Sequence, residues 1–352
     1  MTEAPTRLSR GPAGDSDVLG TLPAVEAEIS AALAGLPPII RRACERLSGA
    51  GGRRFRAQLA LLAAGAEDQW TVETVETAES PAIAAAAAVE LLHLASLLHD
   101  DLLDGARTRR GVPTANADEG DAVALLAGNC VLAAALGCAA DAGRDGVGIA
   151  RQAVLDLCEG AALEQSYRFR TDLAASQILQ IARLKAGTLL AAACRLGGVA
   201  AGASPDSASV RALGGYGTHL GVALQLLDDL LDVTSTEALL GKPVEADFPN
   251  GVITFPALPA LAGDPQLRQL TRPGLSLHER RYAMTSIRGH DGPEVTLRLA
   301  GEHAERARRL AQSPALRDHP SATALGELPD QLLRTQLQLV DPAVRPVSVH
   351  GA

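Results

Sequence analysis

The chain has 352 residues and a formal net charge of -9, with 47% hydrophobic and only 2% aromatic residues. That hydrophobic share excludes a mostly disordered chain, and the acidic balance excludes broad, non-specific nucleic-acid binding, which needs a basic surface. With so few aromatics, the apolar residues are mostly Ala, Leu and Val, which suits closely packed helices rather than a β-rich fold.

In chain order, Met1 to Asp17 mixes Pro, Gly, Ser and charges without the apolar run of a signal peptide, and reads as a flexible tail. Ser80-Pro81 has the form of an N-cap followed by Pro at the first helical position, opening a helix that runs to about Asp104. Gly105 to Gly120, with its Gly, Pro, Asn and Arg, reads as a loop. Ala122 to Ala140 is apolar throughout except for Asn129. Its length fits a membrane span. Its Ala and Gly gain little in hydrocarbon, so a helix buried on all sides is expected instead. Helices are also expected over Ala174 to Leu196 and Ser207 to Val233, and a long functional loop over Thr234 to Thr254. From Leu277 the helices become shorter and more charged. No repeat and no linker is visible, so one all-α domain is expected over residues 18–345, between flexible tails at 1–17 and 346–352. Cys44, Cys130, Cys138, Cys158 and Cys194 are dispersed and form no Cys-x-x-Cys pair. This argues against a disulfide framework or zinc site and suits the cytoplasm.

The strongest chemical feature is a five-residue acidic pattern that occurs twice. Asp100, Asp101 and Asp104 form the first copy, and Asp228, Asp229 and Asp232 the second, each at the end of an apolar helical run. The first and last carboxylates of each copy are four residues apart, so they share a helix face. They repel one another, and they oppose the helix macrodipole, unless a cation sits between them. Mg²⁺ suits such a pair, because it takes oxygen ligands and is usually completed by water and substrate phosphates. One copy could be an ordinary solvated helix end, but two copies are not explained that way. Basic residues accompany both: Arg107, Arg109 and Arg110 after the first, Lys242 after the second, the cluster Arg53, Arg54 and Arg56, and Lys185 within an apolar helix. Together they point to two diphosphate pockets, one bridged by metal and one held by arginines.

From about Arg42 to Pro256 the sequence resembles the head-to-tail prenyl diphosphate synthases of the isoprenoid synthase fold. "GGRRFR" at Gly51 is similar to that family's GGKRxRP motif. "ELLHLASLLHDDLLDGARTRRGVPTAN" from Glu90 and "GVALQLLDDLLDVTSTEALLGKPVEAD" from Gly221 resemble its two aspartate-rich regions. The resemblance implies a large helical bundle around a central apolar cavity, and a Mg²⁺-dependent homodimeric transferase that joins isopentenyl diphosphate to an allylic diphosphate. It implies three Mg²⁺ ions, two on Asp100 and Asp104 and one on Asp228, with Asp101, Asp229 and Asp232 in support. Arg109, Lys185, Lys242 and Gln225 would face the allylic diphosphate. Arg53, Arg56, His93 and Arg110 would hold isopentenyl diphosphate. Several positions depart from the family pattern: Arg53, Ala57, Asn129, Ala161, Glu164, Ala186 and Val252.

Product length is expected to follow from residues below Asp100 on its helix, at about 1.5 Å of descent per residue. Leu92, Ala95 and Ser96 are not aromatic, which implies geranylgeranyl length or longer. Two other readings are a class I terpene cyclase and a non-catalytic partner subunit of a synthase. No nucleic-acid partner and no membrane span are expected.

Overall fold

The computed structural model describes residues 15–52, 54–65, 80–240 and 244–342. The expected all-α fold is what forms. The first helices are α1 (Asp15–Ala34), α2 (Pro38–Gly49), α3 (Phe55–Ala63) and α4 (Pro81–Leu103). A two-stranded hairpin, β1 (Thr108–Arg109) and β2 (Val112–Pro113), then leads to α5 (Ala115–Asp118), α6 (Asp121–Asp141) and α7 (Gly146–Tyr167). Next come α8 (Ala175–Ala182), a π-turn (Arg183–Gly187), α9 (Thr188–Ala200) and α10 (Ala208–Thr234). After α11 (Glu237–Leu240) the chain makes 3₁₀ turns at Phe248–Asn250 and Phe255–Ala257, then forms α12 (Leu258–Gly263), α13 (Pro265–Gln269), α14 (Leu277–Gly289), α15 (Gly292–Ala311) and α16 (Ala322–Leu337).

The chain divides into two compact units. One comprises Met1–Ala153, Ala191–Gly214 and Leu310–Glu327; the other comprises Val154–Leu190, Gly215–Arg309 and Leu328–Ala352. Several helices, α10 among them, have residues in both, which is why no linker is visible in the sequence.

In the first unit, α4 packs against α6, α3 and α1. Its N-terminal half is a run of buried alanines, whose small side chains let neighbouring helices approach closely. Leu91, Leu92 and Leu98 are at most 1% exposed, and burying a leucine contributes about 1.5–3 kcal/mol. Gly128 on α6 makes room for the His99 ring, which occupies the space a Cβ there would need. Helix α6, expected to be buried on all sides, keeps an exposed face, whereas α4 is largely enclosed. Both are long and apolar enough to cross a membrane, but the most apolar window of α4 is 78% buried and that of α6 only 39%. Leu125 and Leu126 of α6 are 48% and 53% exposed.

In the second unit, a core of Val233, Phe248, Ile253, Leu261, Met284 and Ile287 joins the end of α10 to the loop after it and to α12–α14. The helix expected over Ala174 to Leu196 widens at Arg183–Gly187 into the π-turn, which contains Lys185. Gly221 of α10 lies directly against the backbone of Ala186 and Gly187. Only a residue without a Cβ allows that approach. The region expected as loop after α4 holds the small hairpin and α5. The helix begins at Asp15, inside the stretch expected as a tail.

Candidate active site

The first acidic motif closes α4. Its N-cap, Ser80, precedes Pro81 as expected, and Asp104 caps the C-terminus with its N–H on the Asp100 carbonyl at 2.9 Å. The helix turns Asp101 inward, where it is 1% exposed, while Asp100 is half-buried and Asp104 exposed. The shared face expected for the first and last carboxylates is therefore the accessible one. Asp101 Oδ1 accepts the Arg109 Nε–H at 2.6 Å, and its Oδ2 has no hydrogen-bond partner. Burial raises the Asp101 pKa and Arg109 opposes that rise.

The chain then folds back on itself. Ala106 N–H bonds to the Asp101 carbonyl, and the Ala106 carbonyl accepts from Thr114 Oγ1 at 2.7 Å and Asn116 Nδ2 at 3.0 Å. This fixes the hairpin whose two-residue turn is Arg110–Gly111, both at positive φ. That turn type matches the twist of the strands it joins. It presents Arg109 to Asp101, and Arg110 to the carbonyl of Gly51.

His93, two turns before Asp100, is the focus of this unit. Its Nδ1 is buried without a hydrogen-bond partner. Burial holds its pKa well below the ordinary histidine value, and the charges of Arg56, Arg110, Arg109 and Arg54 push it in the same direction. Arg56, His93, Arg109 and Arg110, expected from sequence, are thus brought together with Asp101. The charges of Arg54, Arg56, Arg109 and Arg110 all bear on this imidazole, and together they favour an anion nearby.

Arg54 has a different role from the rest of its cluster. It is the N-cap of α3 at φ +46°. It is bound by Glu26 at 2.5 and 2.9 Å, by Ser48, and by Glu90 at 3.3 Å. Glu90, 5% exposed, also accepts the Ala57 N–H at 3.1 Å. Glu90 was not singled out from the sequence. The available signal was an acid on an otherwise apolar helix, facing a run of arginines. Arg53 lies outside the described residues.

The second unit holds the other acidic motif. Here too the middle acid turns inward: Asp229 is 5% exposed, and Asp228 and Asp232 are half-buried. Gln225 Nε2 donates to Asp229 Oδ1 at 2.8 Å. Burial pushes the Asp229 carboxyl up to about 7; the Gln225 bond opposes this, and the charges of Asp228, Asp232 and Glu164 add to it. Asp232 accepts from Ala246 N at 3.2 Å and Asp247 N at 3.4 Å.

Lys185, Gln225 and Asp229 line a cavity of about 120 Å³ with Glu164 and Asp247. Its other walls include Leu173, Ile178, Ile181 and Val252, so the lining mixes charged and apolar side chains. Gln225 faces this cavity as expected, but its amide is committed to Asp229. Lys185 is likewise engaged, donating to Glu164 of α7 at 2.5 Å. Lys242 lies outside the described residues.

Among the described residues, no three His, Cys, Asp or Glu side chains converge into a ready-made metal site. The donor set nevertheless fits Mg²⁺. Each motif offers two accessible carboxylates one helical turn apart, and this ion is commonly held by one or two carboxylates, water and substrate phosphates.

The polyprenyl synthetase family model matches residues 37–281. The chain is 35% identical over 290 residues to the nonaprenyl diphosphate synthase of Mycobacterium tuberculosis, covering 81% of this chain and 83% of that one. It is 32% identical over 292 residues to heptaprenyl diphosphate synthase component 2 of Geobacillus stearothermophilus, covering 82% and 88%. The crystal structure of a Caulobacter crescentus polyprenyl synthase complexed with calcium and isoprenyl diphosphate superposes with a TM-score of 0.79 at 30% identity, covering 92% of this chain and 99% of that one. The chain therefore belongs to the polyprenyl synthetase family and is a prenyl diphosphate synthase, a transferase with the all-α isoprenoid synthase fold.

Proposed function

We propose that this synthase uses Mg²⁺ to condense isopentenyl diphosphate with an allylic diphosphate, giving geranylgeranyl diphosphate or a longer product. The observation that carries this reading is the set of guanidiniums of Arg54, Arg56, Arg109 and Arg110 whose charges bear on His93, with Arg109 bonded to Asp101 of the first acidic motif. Such a cluster suits a diphosphate held through charge-assisted bonds, with Arg54 itself held by Glu26 and Glu90. The solved relative bound to calcium and isoprenyl diphosphate supports a divalent cation and this ligand class.

Asp100 and Asp104 would hold two metal ions and Asp228 a third, with Asp101, Asp229 and Asp232 in support. Bound Mg²⁺ supplies charge neutralisation for the departing diphosphate. Lys185, Lys242 and Arg109 add fixed positive charge for that leaving group, and Gln225 orients the buried acid beside it. As the allylic C–O bond breaks, a delocalised cation forms. The double bond of isopentenyl diphosphate attacks it, and loss of a proton to the released diphosphate completes the step. Leu173, Ile178 and Ile181 keep water from the cation.

Ala95 is fully buried and Ser96 half-buried, and both are small, one turn before Asp100. That supports a long product. The exposed stripe of α6, with Leu125 and Leu126, supports a homodimer that covers it. The five cysteines, all free, support a cytoplasmic location.

The test is to incubate the purified protein with Mg²⁺, isopentenyl diphosphate and dimethylallyl, geranyl or farnesyl diphosphate, and to identify products by mass spectrometry. Elongation that stops on chelation supports the reading. Binding of diphosphates without elongation of any primer favours a partner subunit; one relative is named as a component of a heptaprenyl diphosphate synthase.

A further inference from the structure

Glu245 sits at φ +58°, where any residue with a Cβ is strained. Its carboxylate accepts one arm of the Arg288 guanidinium at 2.6 Å, while the Nε of the same group donates to the Val233 carbonyl at 2.5 Å. One planar fork therefore fastens two points of the chain, and a lysine cannot make both bonds in that geometry. Those points flank Asp232. Val233 follows it directly, and the Glu245 N–H bonds to the Asp232 carbonyl at 3.0 Å. Beyond Glu245, the N–H groups of Ala246 and Asp247 take one carboxylate oxygen of Asp232 each. Asp247 lines the cavity that contains Lys185, Gln225 and Asp229.

Arg288 is itself carried by an anchored element. Helix α14 starts with a capping box, in which the Glu279 carboxylate takes the Ser276 N–H at 2.8 Å and Ser276 Oγ takes the Glu279 N–H at 3.3 Å. Asp264 accepts Tyr282 Oη at 2.9 Å and Ser286 Oγ at 2.6 Å from the same helix. Ile287, next to Arg288, is fully buried.

We propose that the Arg288–Glu245 bridge is a positioning device for the second acidic motif, holding residues 244–247 so that Asp232 and Asp247 present one fixed arrangement to the metal-bound diphosphate. Arg288 acts through Glu245 and is a positioning residue. The inference rests on the synthase reading above. It accounts for a strained glutamate where glycine would be relaxed: the side chain is needed to receive Arg288.

The experiment compares wild type with Glu245→Gly, Arg288→Gln and Arg288→Lys. Glu245→Gly removes the carboxylate and relieves the backbone strain together, so Tm holds. The half-saturating Mg²⁺ concentration and the allylic KM each rise about tenfold, the scale set by outer groups that orient metal ligands, while kcat moves less. Arg288→Gln moves the same constants, and Arg288→Lys recovers part of the loss. If Glu245→Gly keeps both constants within about twofold of an active wild type, which is inside the range of a weak surface ion pair, the bridge only supports the fold and the inference is overturned. Should Arg288→Gln fail to fold, Glu245→Gly decides alone. A wild type that elongates no primer with any divalent cation overturns the synthase reading, and this inference with it.

Discussion

The two acidic motifs are identical in sequence and unlike in surroundings. Both turn the middle acid inward and leave the outer two accessible, because that is where a helix places positions one turn apart. In the first unit the buried acid, Asp101, meets a guanidinium from a tight hairpin. In the second, Asp229 meets a neutral amide, and its carboxyl is pushed up to about 7. The first unit is rich in arginine. The cavity of the second holds one described cation, Lys185, already paired with Glu164. The same five residues therefore sit in different electrostatic surroundings: a guanidinium from the hairpin after α4 faces Asp101, whereas Gln225 of α10 itself faces Asp229.

If both motifs serve the same chemistry despite this difference, Asp100→Asn and Asp228→Asn each lower kcat by about 10²–10³-fold, the usual cost of removing a group that stabilises developing charge. A steady-state elongation assay reads this directly. Loss from one substitution only would break the symmetry between the motifs.

The arginine-rich unit should govern one substrate. Arg56→Ala is expected to raise the KM for isopentenyl diphosphate about 10–100-fold, as for a lost bond between charged partners, and to leave the allylic KM nearly unchanged. Equal increases in both constants would show that the units do not divide the substrates. Also in the first unit, Ser96→Phe should shorten the longest product seen by mass spectrometry, and an unchanged product would move the floor of the chain-length pocket elsewhere.

Asp229 allows a contrast in pH dependence. Its folded-state pKa of about 7 lies above the ordinary 3.8. Native stability is therefore lost progressively as pH rises from about 4 to 7, and the deficit stays constant above that. In chelator, Asp229→Asn should melt higher than wild type at pH 8, with the gap closing toward pH 4. Asp101→Asn should gain less, because it also removes the Arg109 partner. Equal melting shifts for the two variants would mean the neighbours do not matter.

The smallest effect expected is at Glu164. Glu164→Gln removes the carboxylate that pairs with Lys185, and the allylic KM should fall about two- to fivefold, in line with a partly exposed ion pair. A rise in KM would instead make Glu164 part of the binding surface.

Much of this was legible in the sequence. The Ala/Leu composition and apolar periodicity specify helices, and Ser80-Pro81 marks the start of α4. The four-residue spacing puts Asp100 and Asp104 on one face, as it does Asp228 and Asp232. These are local rules, and a helix obeys them wherever it packs. The burial of α6 was misjudged, because an apolar helix that keeps an exposed face and one enclosed in a core have the same composition. The π-turn at Lys185, the left-handed Arg54 and Glu245, and the division into two units are likewise tertiary outcomes. So are the partners: Arg54 with Glu90, Lys185 with Glu164, and Arg288 with Glu245 are separated by 36, 21 and 43 residues. The sequence alone determined which side chains can carry charge and which helix face presents them. Packing decided which charges meet and how deeply each is buried, because Coulomb energy and desolvation depend on distances that only the folded chain sets.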